Sequence, residues 1–336
     1  MTSKATALLA ILFAALPARE AASAGSPGKI TIAVPGIPPV FSGLYVYVAK
    51  EEGFFKNQGL DVEVRPFDSG ASAAQAVVAG NVDLSLSPTA AVVRMISNGG
   101  VDLIGIYGQE HPDWLLASAE GNSSKCQDLE NQAVGVDSVG GARAAALAQF
   151  LRPCGLKVEQ VKLVSLSSNV GAAMIAGQIK YGVLHTDDVP VLEEQMKRKL
   201  NVVSSIRDVD PHSHYNLLVT TRNNLKNRRD AYVRAVAGLM EAAKYIADPK
   251  NADRVAKIAM VTGRTEKVAK EALRTFVAID FWPARGDGLT RANLEKAVKT
   301  EQELGGIKPG KEPVGYERLV DRSISRDASA LASKGR

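Results

Sequence analysis

Cysteine is almost absent from this chain of 336 residues: there are two, Cys126 and Cys154. A cysteine-lined metal or cluster site is therefore excluded, as is a framework of several disulfides. Aromatic residues make up only 5%, which argues against a cleft built mainly from stacked rings. It also argues against a nucleic-acid surface, which interleaves rings with basic side chains. Histidine is scarce at four residues. His212-x-His214 is the one close pair, and with no carboxylate or cysteine spacing to complete it, it does not make a metal site; an exposed turn is its expected place. Past the first residues no apolar run is long enough to span a bilayer. The formal charge of +5 is small, and Lys197-Arg198-Lys199 and Arg228-Arg229 are short runs of the kind found on solvated helix faces. A dinucleotide fingerprint is missing as well. No nucleic acid, metal or cofactor is expected.

What is present begins with a leader. Lys4 supplies a positive start, Ala5 to Leu16 is an apolar run of 12 residues, and Ala22-Ser23-Ala24 has the small residues of a cleavage site. Residues 1–24 read as a signal peptide cut near Ala24, which makes the mature chain exported. In an exported chain, Cys126 and Cys154 suggest one disulfide. Cys126 falls before a strand at Ala133–Val136 and Cys154 at the end of the helix that follows, so both lie at the same end of one strand–helix unit. Two buried thiols are the alternative.

A segment occurs twice. Ala74–Leu86 and Gly171–Val183 each read as a small-residue helix, a glycine stop and a short apolar strand, with Gly80 aligned to Gly177 and Asn81 to Gln178. Strand and helix signals alternate from residue 29: Lys29–Val34, a helix over Gly43–Asn57, Asp61–Arg65, a helix to Gly80, Asp83–Leu86, a helix to Gly99, then Val101–Tyr107 and Trp114–Ser118. The pattern predicts α/β lobes, each a mostly parallel sheet flanked by helices. A second lobe follows, with strands at Ala133–Val136, Val161–Leu166, Tyr181–Leu184 and Asn201–Ser205. From Leu225 onward the pattern is helical. The expected layout is lobe one at 28–115 plus 221–330, lobe two at 120–212, and a hinge formed by crossings near 115–121 and 210–216.

Open α/β sheets bind ligands beyond the carboxyl ends of their strands, which directs attention to the residues after each strand. In lobe one these include Phe41 and Ser42, Ser69 and Gly70, and Ser87 and Thr89. Phe41 could stack on a ligand or pack under its loop. The serines and Thr89 could hold a polar solute or only cap helices. In lobe two, Asp137-Ser138-Val139-Gly140-Gly141-Ala142-Arg143 follows a strand and opens a helix. Ser138, Gly140 and Gly141 could bring an anion to free backbone N–H groups at the positive end of that helix, with Arg143 adding a charged contact. His185, Thr186 and Asp187 follow the strand of the second repeat, Thr186 being the internal equivalent of Thr89. His185 could donate to an acidic ligand and Asp187 pair an amine, or Thr186 and Asp187 could serve only to start the next helix.

The stretch Val40–Glu63, with Gly53-Phe54-Phe55 and Gly59-Leu60 at its centre, resembles the opening of periplasmic solute-binding proteins of ABC importers. Ala79-Gly80-Asn81-Val82-Asp83 and Asp128-Leu129 before Ala133–Val136 resemble two further signatures of the group that handles alkanesulfonates, taurine, nitrate and thiamine pyrimidine precursors. The resemblance implies a type II, two-lobed periplasmic binding protein. Such a protein is not an enzyme: it is a monomer that traps a small anionic or zwitterionic organic solute and delivers it to an inner-membrane permease. Lys180-Tyr181 and Asn131-Gln132 depart from the group and bear on which solute. Two alternatives are a periplasmic sensor partner and a pyrimidine-synthase-like enzyme, the latter opposed by the missing cysteine cluster and by the leader.

Overall fold

A computed structural model of the protein describes residues 28–119 and 125–334. The leader and the end of the first expected crossing lie outside the described residues. Ten strands form two five-stranded sheets. The first has the order β2-β1-β3-β10-β4, built from β1 (Gly28–Pro35), β2 (Leu60–Phe67), β3 (Leu84–Pro88), β4 (Leu103–Gln109) and β10 (Asn216–Thr221). The second has the order β7-β6-β8-β5-β9, built from β5 (Trp114–Ser118), β6 (Ala133–Val136), β7 (Lys162–Ser165), β8 (Tyr181–His185) and β9 (Asn201–Ser205). The sheets are copies of one plan. In each, a parallel trio is extended by one antiparallel strand that arrives from the other lobe: β10 between β3 and β4, and β5 between β8 and β9.

The repeated segment is the hub of that plan. Helices Gly70–Val78 and Val170–Ile175 each end two residues before a glycine, Gly80 and Gly177, whose φ of +75° and +70° a side chain rarely adopts. The chain then turns into β3 and β8, the middle strands of their sheets and buried throughout. A run buried without alternation and apolar but for Thr31, such as Ile30–Val34 in β1, is what a strand covered on both faces shows.

Two expectations are corrected. The helix over Gly43–Asn57 is two pieces, Leu44–Glu51 and Phe54–Asn57, because Gly53 between them takes a φ of +76°. Trp114–Ser118 does not belong with lobe one. It pairs antiparallel with β8 and β9, so the chain crosses between sheets at residues 110–113, ahead of the expected 115–121. The return runs through 210–215 into β10. The C-terminal helices cover the first sheet: Arg222–Ala247 packs on Leu44–Glu51 and on Arg322–Lys334. Cys126 and Cys154 form a disulfide with a Cα–Cα distance of 5.9 Å, closing the strand–helix unit as their placement predicted. Among the described residues no helix is long and apolar enough to cross a membrane.

Candidate functional site

The strand ends of the two sheets face one another across a small cavity. Pro35, Gly36, Ser69, Gly70 and Asn216 line it from the first sheet's side; Trp114, Asp137, Arg143, Ser168 and His185 line it from the second, with Tyr215 on the return crossing. The lobes touch around its rim. Ser167 Oγ donates to the Asp68 carbonyl at 2.7 Å, and Ser168 Oγ to the Ile37 carbonyl at 2.9 Å. The cavity measures about 20 Å³, room for water but not for an organic solute.

Arg143 is 4% exposed and projects from the first turn of helix Ala142–Leu151. Its Nε donates to the Val183 carbonyl at 2.9 Å, its guanidinium lies 5.2 Å from the Trp114 ring centroid, and Nη2 is 3.5 Å from Asp188. On the same indole, the His185 ring stands 3.9 Å away, centroid to centroid. His185 Nδ1 is 2.8 Å from Asp113 Oδ1, while its Nε2 is buried without a partner. Asp113, on the first crossing, is fixed by Thr186, whose N–H donates to Oδ2 at 3.1 Å and whose hydroxyl donates to the Asp113 carbonyl at 2.9 Å. Trp114 therefore aligns two nitrogen-bearing groups, one guanidinium and one imidazole, on a single cavity.

Behind them lies a charged network that joins the lobes. Arg264, from the loop before helix Glu266–Ala278, donates to Asp188 and approaches Asp187 to 2.7 Å as a charge contact without hydrogen-bond geometry. Burial would raise the Asp188 carboxyl, but Arg264 and Arg143 together hold it below the usual carboxylate range. Burial prevails at Asp187, whose carboxyl is raised despite Arg264. Asp113, His185 and Asp187 place one ligand atom each within 4.8 Å of one another. Arg264 already supplies the positive charge that a metal would bring, and His185 Nδ1 is engaged with Asp113, so the trio reads as an ion-pair network.

The residues expected to touch a ligand divide into four groups. Ser69, Gly70, Arg143 and His185 line the cavity. Phe41, Ser42, Ser87 and Thr89 are buried within lobe one instead. Phe41 stacks on Phe276 at 5.1 Å and leans on Trp282, which makes it a core residue. The Ser42 carbonyl accepts from Gln109 and Trp282, and Ser87 shares a hydrogen bond with Ser85. Thr89 Oγ1 is 2.7 Å from His214 Nδ1, whose Nε2 is 2.7 Å from the Gly288 carbonyl. His214 is thus buried, not in an exposed turn, and burial lowers its pKa to about 4. Thr186 and Asp187 act behind the cavity, through Asp113 and Arg264.

The fourth group is the expected anion site, and here the structure corrects the sequence. The Asp137 carboxylate folds back over the helix start and accepts from the Ala142 N–H at 3.0 Å and the Arg143 N–H at 3.2 Å. The positive helix end is already matched by a carboxylate of the chain itself. Gly141 makes room for it, since a Cβ there would collide with that carboxylate. Gly140 takes a φ of +79° to turn the loop, and Ser138 Oγ is buried without a partner. Asp137 was visible in the motif, but nothing in a sequence tells a capping carboxylate from a spectator. Asp113, Trp114, Tyr215 and Arg264 escaped because they come from the crossings, from the start of the antiparallel strand β5 and from a helix loop, away from the parallel strand ends.

The family model described as NMT1/THI5 like matches residues 40–252, well over half the chain. The chain belongs to the NMT1/THI5-like family. No curated protein sequence matches it. Among solved structures, it is similar to a protein of Bordetella bronchiseptica RB50 at 21% identity, with 91% of this chain and 98% of that one covered and a TM-score of 0.76. The ligand-binding component of an ABC-type import system from Staphylococcus aureus, with zinc bound, matches at 13% identity, 90% and 99% coverage and a TM-score of 0.72. The alkanesulfonate-binding protein SsuA from Xanthomonas axonopodis pv. citri, bound to MOPS, matches at 14% identity, 88% and 99% coverage and a TM-score of 0.70. These likenesses establish the two-lobed α/β architecture of type II periplasmic binding proteins as this chain's fold.

Proposed function

We propose that the protein is the extracytoplasmic solute-binding subunit of an ABC importer. It closes two lobes over a small anionic or zwitterionic organic solute and presents the closed form to a membrane permease. The observation that carries this reading is the convergence of Arg143 and His185, aligned on Trp114, upon a cavity whose rim is made by both lobes. A solute seated there would contact both lobes only when they are closed, so binding would favour closure. The names of similar structures point the same way: an import-system component, an alkanesulfonate-binding protein and a nitrate-binding protein. A cysteine-based reaction is opposed by the disulfide, which leaves no free thiol among the described residues. The leader at residues 1–24 would place the mature chain in the periplasm.

The test is a thermal-shift screen of the mature chain against sulfonates, aliphatic and aromatic carboxylates, nitrate and pyrimidines, followed by small-angle scattering with the best ligand. One chemical class should raise the melting temperature and contract the particle, and the ligand should be recovered unchanged. Recovery of a converted product, or stabilisation with no change in shape, would overturn the reading.

A further inference from the structure

Among the described residues, His185 is the one side chain lining the cavity that holds a buried polar atom without a partner. Its chemistry is constrained from the far side. Asp113 Oδ1 lies 2.8 Å from Nδ1, and Asp113 Oδ2 already accepts from the Thr186 N–H. A carboxylate only accepts, so the shared proton belongs to Nδ1 of the imidazole. In the neutral ring, Nε2 is then a lone-pair acceptor, buried without a partner on a residue that lines the cavity. An oxyanion presents lone pairs too, and two lone pairs repel until a proton stands between them.

We propose that His185 makes capture of the solute proton-linked: the solute is a small oxyacid, and its complex carries one proton between Nε2 and a solute oxygen that the separated anion and neutral imidazole lack. This rests on the solute-trap reading above and deepens it to a substrate class. For a sulfonate, far too acidic to keep a proton, the proton sits on Nε2 and the solute is held by an imidazolium beside Arg143. For a carboxylate the same proton is shared. No other reactant is needed, since the proton comes from solvent. The groups around the ring fit this arrangement. Asp113 faces Nδ1; Asp188 accepts from the His185 backbone N–H at 3.0 Å; Asp187 lies behind, with Arg264 on both aspartates. Arg143 stands across Trp114, Asp137 lines the same cavity, and the Tyr215 ring meets the imidazole edge-on at 6.1 Å, its hydroxyl kept neutral by burial.

The experiment uses the mature chain with methanesulfonate, ethanesulfonate, acetate and nitrate as probes. Buffers are the cations bis-Tris, imidazole and Tris, because sulfonate buffers would compete. Calorimetry in the three buffers reads the protons taken up per probe bound. The expected result is uptake approaching one proton where free His185 is neutral, with the dissociation constant rising about tenfold per pH unit there. His185→Gln keeps a donor but cannot titrate, and should bind without proton uptake. Asp113→Asn is the sharper variant. Its amide oxygen can still accept from Thr186 while its NH₂ donates to Nδ1, which moves the ring proton to Nε2 and should remove the pH dependence with the histidine in place. Probe binding without proton uptake in the unaltered protein overturns the proposal and leaves the solute trap standing. So does undiminished uptake in Asp113→Asn, or stabilisation by neutral or cationic solutes only. If no solute of any class binds, the trap reading fails as well.

Discussion

Removing the Asp137 carboxylate tests how the start of helix Ala142–Leu151 is held. The carboxylate accepts two backbone N–H bonds, from Ala142 at 3.0 Å and from Arg143 at 3.2 Å. A single lost cap bond costs ~1 kcal/mol, and the loss of a negative charge at a helix N-terminus costs roughly 0.5 kcal/mol more. Two bonds and the charge together give Asp137→Ala a destabilisation of about 2–3 kcal/mol. Urea unfolding measures it as a lower midpoint at unchanged slope. Gly141→Ala is the control that keeps the charge. Gly141 has a φ of −75°, which alanine adopts freely, yet its new methyl would push the carboxylate away from the helix start. Both variants should lose stability by similar amounts. Both should also open the helix end to a solute anion, tightening an oxyanion probe by up to about tenfold. An unfolding midpoint within error of the unaltered protein in Asp137→Ala would refute the capping role. Weaker probe binding in both variants would mean that Asp137 holds the solute instead of standing in for it.

Three further outcomes follow from the structure. His214 is buried with a pKa near 4 against about 6.5 unfolded, so the unfolded chain takes up its proton first as pH falls; the stability this group contributes is complete above pH 6.5 and is lost down to about pH 4, amounting to ~3 kcal/mol. His214→Gln should flatten that part of a urea-midpoint-versus-pH curve, and an unaltered curve would show that His214 titrates normally. Reducing the Cys126–Cys154 bridge, which spans 28 residues, should cost ~3–4 kcal/mol, read as a lower melting temperature with reductant; two thiols titrating in the native oxidised protein would remove the bridge. Ser167→Ala with Ser168→Ala deletes two hydrogen bonds that join the lobes; on the proposed closure it should weaken solute affinity about tenfold through ~1–2 kcal/mol of lost lobe contact, and unchanged affinity would show that these hydroxyls do not favour closure.

The two-lobe plan was legible because it is local and repeated. Gly80 and Gly177 mark helix stops through a backbone angle only glycine adopts with ease, and the apolar runs after them could only be buried strands. Cys126 and Cys154 could be paired because both belong to one strand–helix unit. Arg143 and His185, which line the cavity, were singled out by a topological rule, Arg143 lying after a strand and His185 ending one. The rule misled at Phe41, Ser87 and Thr89, which satisfy the same positional test but turn into lobe one. Whether a side chain after a strand faces the cleft or the core depends on what arrives from elsewhere: Trp282 and Phe276 over Phe41, and His214 over Thr89.

The sequence by itself determined where helices stop, which strands are covered on both faces, and that one folding unit is used twice. Each of those is written in neighbouring residues, through backbone angles and the spacing of apolar side chains. Only the tertiary structure decided the crossing at 110–113, the indole that aligns Arg143 with His185, and the carboxylate that fills the helix end. Those depend on hydrogen bonds and ring contacts between segments far apart in the chain, and the energy of such contacts has no signature in either partner alone.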